Sequence, residues 1–139
     1  MIRQGVLAAI GLSAIVGSLS ACGPSVSNHD NRIFAMAASV KLSATDLAAS
    51  YVLNSGAADE LYRGRAVEIS GTVGSVDEAS KTVIMAGPEP VVWASLHEDV
   101  AAELIKTTVQ GQRITLKCFC EGLDTQVHLK SCVAPDGSR

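Results

Sequence analysis

The sequence predicts a mainly β domain, α+β in class: a five-stranded barrel with one helix ahead of it and a second between the third and fourth strands. Three observations predict it. Between residues 67 and 133 the apolar residues fall into five short runs with strand-like alternation. One helically spaced run, His97 to Gln110, separates the third from the fourth. The first run is long and is broken in phase at Gly74, as a strand must be if it bends to serve both sheets of a small barrel. That order is the one found in OB-folds.

Regular structure starts at Ser43. Ser43-Ala44-Thr45-Asp46 places an acid three residues after a hydroxyl, like a capping box. Leu47, Tyr51 and then Val52 or Ser55 follow at helical spacing, and Gly56 suits the stop. A second short turn, Ala57 to Arg63, ends at Gly64. Val67, Ile69, Gly71 and Val73 then alternate with Glu68, Ser70 and Thr72, while Val76 is out of phase beyond Gly74. Asp77 to Ser80 turns the chain into a second strand, Lys81 to Met85. Gly87-Pro88-Glu89-Pro90 is a strong turn, and Val91 to Leu96 the third strand. In the helix from His97, Val100, Leu104 and Ile105 form the apolar stripe, and Glu98, Asp99 and Glu103 sit early, where the dipole favours acids. Arg113 to Glu121 alternates, with Ile114, Leu116, Cys118 and Cys120 on one face. Gly122 to Thr125 turns, and Gln126 to Val133 is the last strand.

The N-terminus reads as an export signal. Arg3 is its only charge, Gly5 to Gly17 is apolar or small throughout, and Leu19-Ser20-Ala21 leads into Cys22. Leu19-Ser20-Ala21-Cys22 resembles the bacterial lipobox, which implies a diacylglycerol on the Cys22 thiol, cleavage before it, and acylation of the new amine. Each buried methylene contributes ~0.8 kcal/mol and one chain holds weakly, so two or three chains anchor stably. The competing readings are an ordinary signal with Cys22 left as a thiol, and an uncleaved span over the uncharged stretch before His29. Gly11, Gly17, Ser18, Ser20, Gly23 and Pro24 thin the apolar character of that span.

The expected organisation is a signal over 1–21, a flexible tether over 22–41, an OB domain over 42–134 and a tail over 135–139. Gly23 to Asn31 is Ser/Asn/Pro-rich, and Ile33 to Val40 fits either tether or an early helical turn. Cleavage leaves residues 22–139, the size of one domain. The expected location is outside the cytoplasm, at the cell membrane or, where there is an outer membrane, on that membrane facing the periplasm. Gly23 favours the latter, by resemblance to the rule that an aspartate after the lipidated cysteine retains lipoproteins at the inner membrane.

Composition bears on partners. The mean hydropathy of +0.28 is raised by the signal. Without Arg3, fourteen carboxylates face ten cations, a net −4. Nucleic-acid affinity rests on phosphate neutralisation, so an acidic barrel is a poor polyanion binder. The aromatic side chains, Phe34, Tyr51, Tyr62, Trp93 and Phe119, are too few for a stacking platform. The expected partners are the membrane, through the lipid, and an envelope protein, peptide or small ligand. The oligomeric state is left open.

Residues Leu42 to Val133 resemble the tRNA_anti-like family of OB-fold bacterial lipoproteins. The matching pieces are Ser43-Ala44-Thr45-Asp46-Leu47 with Tyr51 and Asn54, Ala57-Ala58-Asp59, Tyr62-Arg63-Gly64, Val67 to Val73, Gly111-Gln112-Arg113-Ile114, and Cys120-Glu121-Gly122 with Leu129 and Cys132. The resemblance implies the barrel independently of the strand count, and little about activity. It also implies a Cys120–Cys132 disulfide, with Cys118 additional. Strand geometry leaves Cys118–Cys132 open. Strict alternation from Val127 and Leu129 puts Cys132 on the opposite face, so either pairing needs a bulge. Export permits a disulfide.

No catalytic constellation emerges, and the chain is expected to be a binding module rather than an enzyme, with no cofactor beyond the lipid on Cys22. His29, His97 and His128 are scattered. Cys118-x-Cys120 with His128 and Cys132 is a conceivable zinc set, though tighter than structural zinc spacing, and would serve a redox or metal-binding alternative. A Cys118/His128 nucleophile pair lacks an orienting group. Tyr51 and Tyr62 are expected to pack a helix on the barrel end, and Asp59 to pair locally. Trp93, on the third strand, is the candidate for a ligand groove.

Overall fold

The computed structural model describes residues 27–139. The export signal, Cys22 and the first part of the expected tether lie outside the described residues.

The chain runs through a 3-10 turn (Asn31–Phe34), β1 (Val40–Ser43), α1 (Ala44–Leu53), α2 (Ser55–Tyr62), β2 (Ala66–Asp77), β3 (Thr82–Met85), β4 (Val92–Leu96), α3 (Glu98–Thr107), β5 (Arg113–Asp124) and β6 (Gln126–Val133). Strands β2, β3, β4, β6 and β5 close a ring, because β2 pairs with both β3 and β5 and β4 lies parallel to β6. This is the five-stranded OB-type barrel with its helix between the third and fourth barrel strands. β2 can pair on both sides because its register shifts between Val73 and Ser75. A Cβ on Gly74 would lie 3.2 Å from the Ala86 backbone, so glycine is what lets β3 approach the bend.

Helix ends follow local chemistry. The Ser43 hydroxyl accepts from the Asp46 N–H at 3.0 Å and starts α1. Asn54, not Gly56, ends it: Asn54 turns extended and its side chain accepts from the Ala57 N–H, so one residue stops α1 and starts α2. α3 is shorter than its apolar spacing predicts. The Thr107 and Thr108 hydroxyls both donate to the Leu104 carbonyl, competing with the next turn.

The main core fills the barrel with Val67, Ile69, Val83, Met85, Ala94, Leu96, Leu116 and Leu129, capped at one end by Leu47 and Tyr51 of α1. Outside the barrel wall a second core joins Ile33, Ala66, Val100, Phe119 and Val133. It corrects the expected tether. Ile33 is fully buried, and β1 adds a parallel strand along Val67–Ser70, on the edge β3 leaves free. The packed domain therefore begins well before residue 42. The reason is that Phe119 and Val133 point outward and need a cover, which Ile33 and Phe34 supply.

The disulfide joins Cys118 to Cys132, which overturns the expected Cys120–Cys132 pairing and leaves Cys120 as a buried thiol. The bulge that alternation demanded is at Ser131. Lys117 faces Val133 and Phe119 faces Lys130, so β6 carries one additional residue there, and Ser131 has φ 55°. The β4 pairing shows the same insertion, Ala94 facing Leu129 and Leu96 facing Cys132. The added residue turns Cys132 back to the face of Leu129 and opposite Cys118, with Cα atoms 4.2 Å apart.

Candidate binding cleft

Trp93 lies outward on β4, 37% exposed, between Ala94 and Val92, which point into the core. Register places it opposite His128 of β6, and the two rings meet edge to face at 5.7 Å. His128 is outward for the same reason, since its neighbours Val127 and Leu129 are inward. Beyond His128 opens a cleft of about 390 Å³ between α2 and the β5–β6 hairpin. Asp59 lines it from α2 and Arg63 from the residue that ends α2, Glu121 and Asp124 from β5, and His128 and Lys130 from β6. Its carboxylates outnumber its lysine and arginine three to two.

Sequence-distant residues meet here because of a second bulge. Cys120 faces Leu129 but Gly122 faces His128, so β5 carries an additional residue at the cleft. Gly122 has φ 107°, and a Cβ there would sit 3.1 Å from an Asp59 carboxylate oxygen. Only glycine allows both that backbone and the approach of α2. The loop after α2 is stitched to the same point: Gly64 N–H donates to the Cys120 carbonyl at 2.7 Å, and Cys120 N–H to the Arg65 carbonyl.

Asp59 is held from below. The Tyr51 hydroxyl donates to its Oδ1 at 2.9 Å and lies 3.5 Å from the Cys120 Sγ. Burial first, then the Cys120 and Asp59 neighbours, keep Tyr51 protonated far above its ordinary range, so it is a fixed donor. Burial also raises the Cys120 thiol, against the lowering effect of the Tyr51 hydrogen bond. A thiol in that state is a weak nucleophile. Asp59 also lies 3.8 Å from Arg63, and Glu121 3.8 Å from Lys130, so each wall carries its own ion pair.

The residues singled out in the sequence distribute unevenly. Trp93 does not line the cleft but adjoins it through His128, which does. Tyr51 and Tyr62 pack α1 and α2 on the barrel, and Asn54 caps α2. The conceivable zinc set does not assemble: Cys118 and Cys132 are bonded to each other, Cys120 faces Tyr51, and His128 faces Trp93. No group of three or more His, Cys, Asp and Glu suited to a metal occurs among the described residues. The cleft residues Asp59, Arg63, Glu121, Asp124, His128 and Lys130 escaped the sequence reading as a set. The available signal was Trp93 on a strand beside a hairpin, with the glycine of Cys120-Glu121-Gly122 marking a close approach.

Fold and site together define a small OB-type barrel of the binding-module kind, with a polar cleft and one exposed indole set against its His128. A model of the tRNA_anti-like family matches residues 1–133, and the chain belongs to that family. The fold is similar to a solved structure from Klebsiella pneumoniae, a lipoprotein to which nucleic-acid binding has been ascribed. The TM-score is 0.53 at 13% identity, covering 75% of this chain and 95% of that one. No curated protein sequence matches. No helix among the described residues is long and apolar enough to cross a membrane.

Proposed function

We propose that this protein is a non-enzymatic binding module of the cell envelope, held by lipid on Cys22, that takes a peptide or small ligand bearing basic groups in the cleft beside Trp93. The observation that carries this reading is the exposed Trp93 indole, set edge to face against His128, which lines a cleft with more carboxylates than cations. A cation there meets both a carboxylate and an aromatic face. The anchor is supported by the lipobox spacing at Leu19 to Cys22 and by the lipoprotein nature of the Klebsiella relative.

Nucleic-acid binding, ascribed to that relative, is the second reading. The acidic cleft and the net −4 of the chain beyond the signal oppose it, since strands bind by phosphate neutralisation. Trp93 is the only tryptophan, so its fluorescence reports this site alone. Titration with a lysine pentapeptide amide is expected to shift the emission saturably. Asp59→Asn with Glu121→Gln should weaken that response about tenfold, as ~1.4 kcal/mol of lost charge pairing implies. Oligothymidylate should leave the emission unchanged. A salt-sensitive response to oligothymidylate, with none to the peptide, would reverse the assignment. For the anchor, the intact mass of membrane-extracted protein should match residues 22–139 plus acyl chains; the full chain, or an unmodified Cys22, would remove it.

A further inference from the structure

The segment just after the expected lipid site is locked to one end of the barrel. The Ser131 hydroxyl, fully buried at the β6 bulge, donates to the Ser27 carbonyl and accepts from the Asp30 N–H at 3.1 Å. The Glu98 N–H donates to the Asn28 carbonyl, and His29 pairs with the Glu98 carboxylate at 2.9 Å. Asn31 Oδ1 bonds to His97, and Arg32 lies over the Phe119 ring. The chain therefore becomes fixed at Ser27, and four residues, Gly23 to Val26, separate that point from Cys22.

Length then decides orientation. Even fully extended, the five steps from Cys22 to Ser27 reach about 18 Å. A domain of this size has a radius of gyration of about 13 Å and is roughly 34 Å across. The far end cannot reach the surface that holds Cys22. Which end is near follows from the strands. Ser131, Leu96 and the start of α3 gather at one end, where the His97 N–H donates to the Cys132 carbonyl. Gln126 and Val91 are joined at the other end, about 16 Å along β6. There Val52 and Leu53 of α1, both exposed, line an open groove with Pro88 and Pro90.

We propose that the α3–β6 bulge end of the barrel is docked against the lipid bilayer, with the α1–α2 end and the Trp93 cleft turned outward. This rests on lipidation at Cys22, and its partner is the headgroup layer of the anchoring membrane. The face presented there is polar, with His29, Glu98, Asp99 and Arg139 around it, which suits headgroup contact rather than insertion.

The test uses extracted, lipidated protein in vesicles of phosphatidylethanolamine and phosphatidylglycerol containing a headgroup nitroxide lipid. One fluorophore is placed by His29→Cys, or by Leu53→Cys at the exposed far end of α1; circular dichroism checks folding. Flotation with the vesicles and several-fold stronger quenching at position 29 than at 53 is the expected result. Equal quenching at both positions in protein that floats overturns the docking while leaving the anchor intact. Protein that does not float overturns both. A Gly/Ser insertion of about ten residues after Val26 should equalise the two positions without loss of flotation; a persistent difference would overturn the short linker as what sets the orientation.

Discussion

Cys118 and Cys132 are bonded across β5 and β6 beside the one position, Ser131, where β6 carries an added residue. The bond thus fixes a register that hydrogen bonding alone leaves broken. The closed loop spans a sequence separation of 14, for which the chain-entropy estimate is ~3 kcal/mol. Cys118→Ala with Cys132→Ala is expected to lower the free energy of unfolding in urea by about 2–4 kcal/mol. Cys120→Ala should leave a reducible bridge in place. A bridge lost in Cys120→Ala, detected by non-reducing mass analysis, would contradict this pairing.

Ser131 carries two loads, a left-handed backbone and the hydroxyl that holds Ser27 and Asp30. Ser131→Ala keeps the strained backbone and strands both partners, and should destabilise by about 1–3 kcal/mol. Ser131→Gly loses the same hydrogen bonds but relaxes the backbone, so it should be milder than alanine by up to about 1 kcal/mol. Both variants should speed amide exchange across residues 28–33 while leaving β2 and β5 protected. Uniform loss of protection would mean the N-terminal segment is not a separate unit.

The barrel was legible because its strands alternate and its turns carry glycine and proline. The capping pair Ser43 and Asp46 and the bend at Gly74 also followed from residue type alone. Alternation even showed that β6 needed a bulge, though not where. What it could not show was which cysteine the bulge would bring to Cys132, because one inserted residue reverses the facing side chains. β1 was missed for a different reason. Val40-Lys41-Leu42-Ser43 is too short to declare a period, and its partner lies across the fold at Val67–Ser70. Ile33 fitted either tether or an early helical turn; the turn is there, at Asn31–Phe34, but its burial depends on Phe119 and Val133 being outward, which its own residues do not tell. The cleft was invisible since Asp59, Glu121 and His128 meet only through the hairpin register.

Tyr51 links the core to the cleft through a single hydroxyl. Tyr51→Phe keeps the buried ring and removes the bond to Asp59, so stability should fall by about 1 kcal/mol. The larger effect should be on binding, because Asp59 is then free to swing toward Arg63 alone. A lysine-peptide titration read by Trp93 should weaken in this variant while an Asn54→Ala variant, which loses only the α2 cap, titrates normally. Equal effects would make Tyr51 a purely structural residue.

His97 sets a pH window on the same N-terminal clasp. It is almost fully buried at the start of α3, where Nδ1 accepts from the Asp99 N–H and Nε2–H donates to Asn31 Oδ1. That arrangement needs the neutral ring, since a proton on Nδ1 abolishes the cap. Burial lowers its pKa below the ordinary 6.5, against the raising effect of Asp99 and Glu98 and with the lowering effect of Arg139 and His29. The unfolded chain therefore binds the proton more readily than the folded one just below about pH 6.5, and stability must rise with pH there. The contribution is fully present above the unfolded value and is lost as the pH falls through it toward the folded one. Asp30, lowered from 3.8 chiefly by its hydrogen bond to Arg32, titrates at more acid pH, so the two windows are separate. Urea unfolding at a series of pH values should show a positive slope below about pH 6.5 in the natural protein. His97→Asn keeps a capping acceptor for Asp99 and removes the titration. Its slope in that window should flatten, even though the variant loses the contact with Phe34 and is less stable throughout. An unchanged slope would place the titrating group elsewhere and detach the clasp from His97.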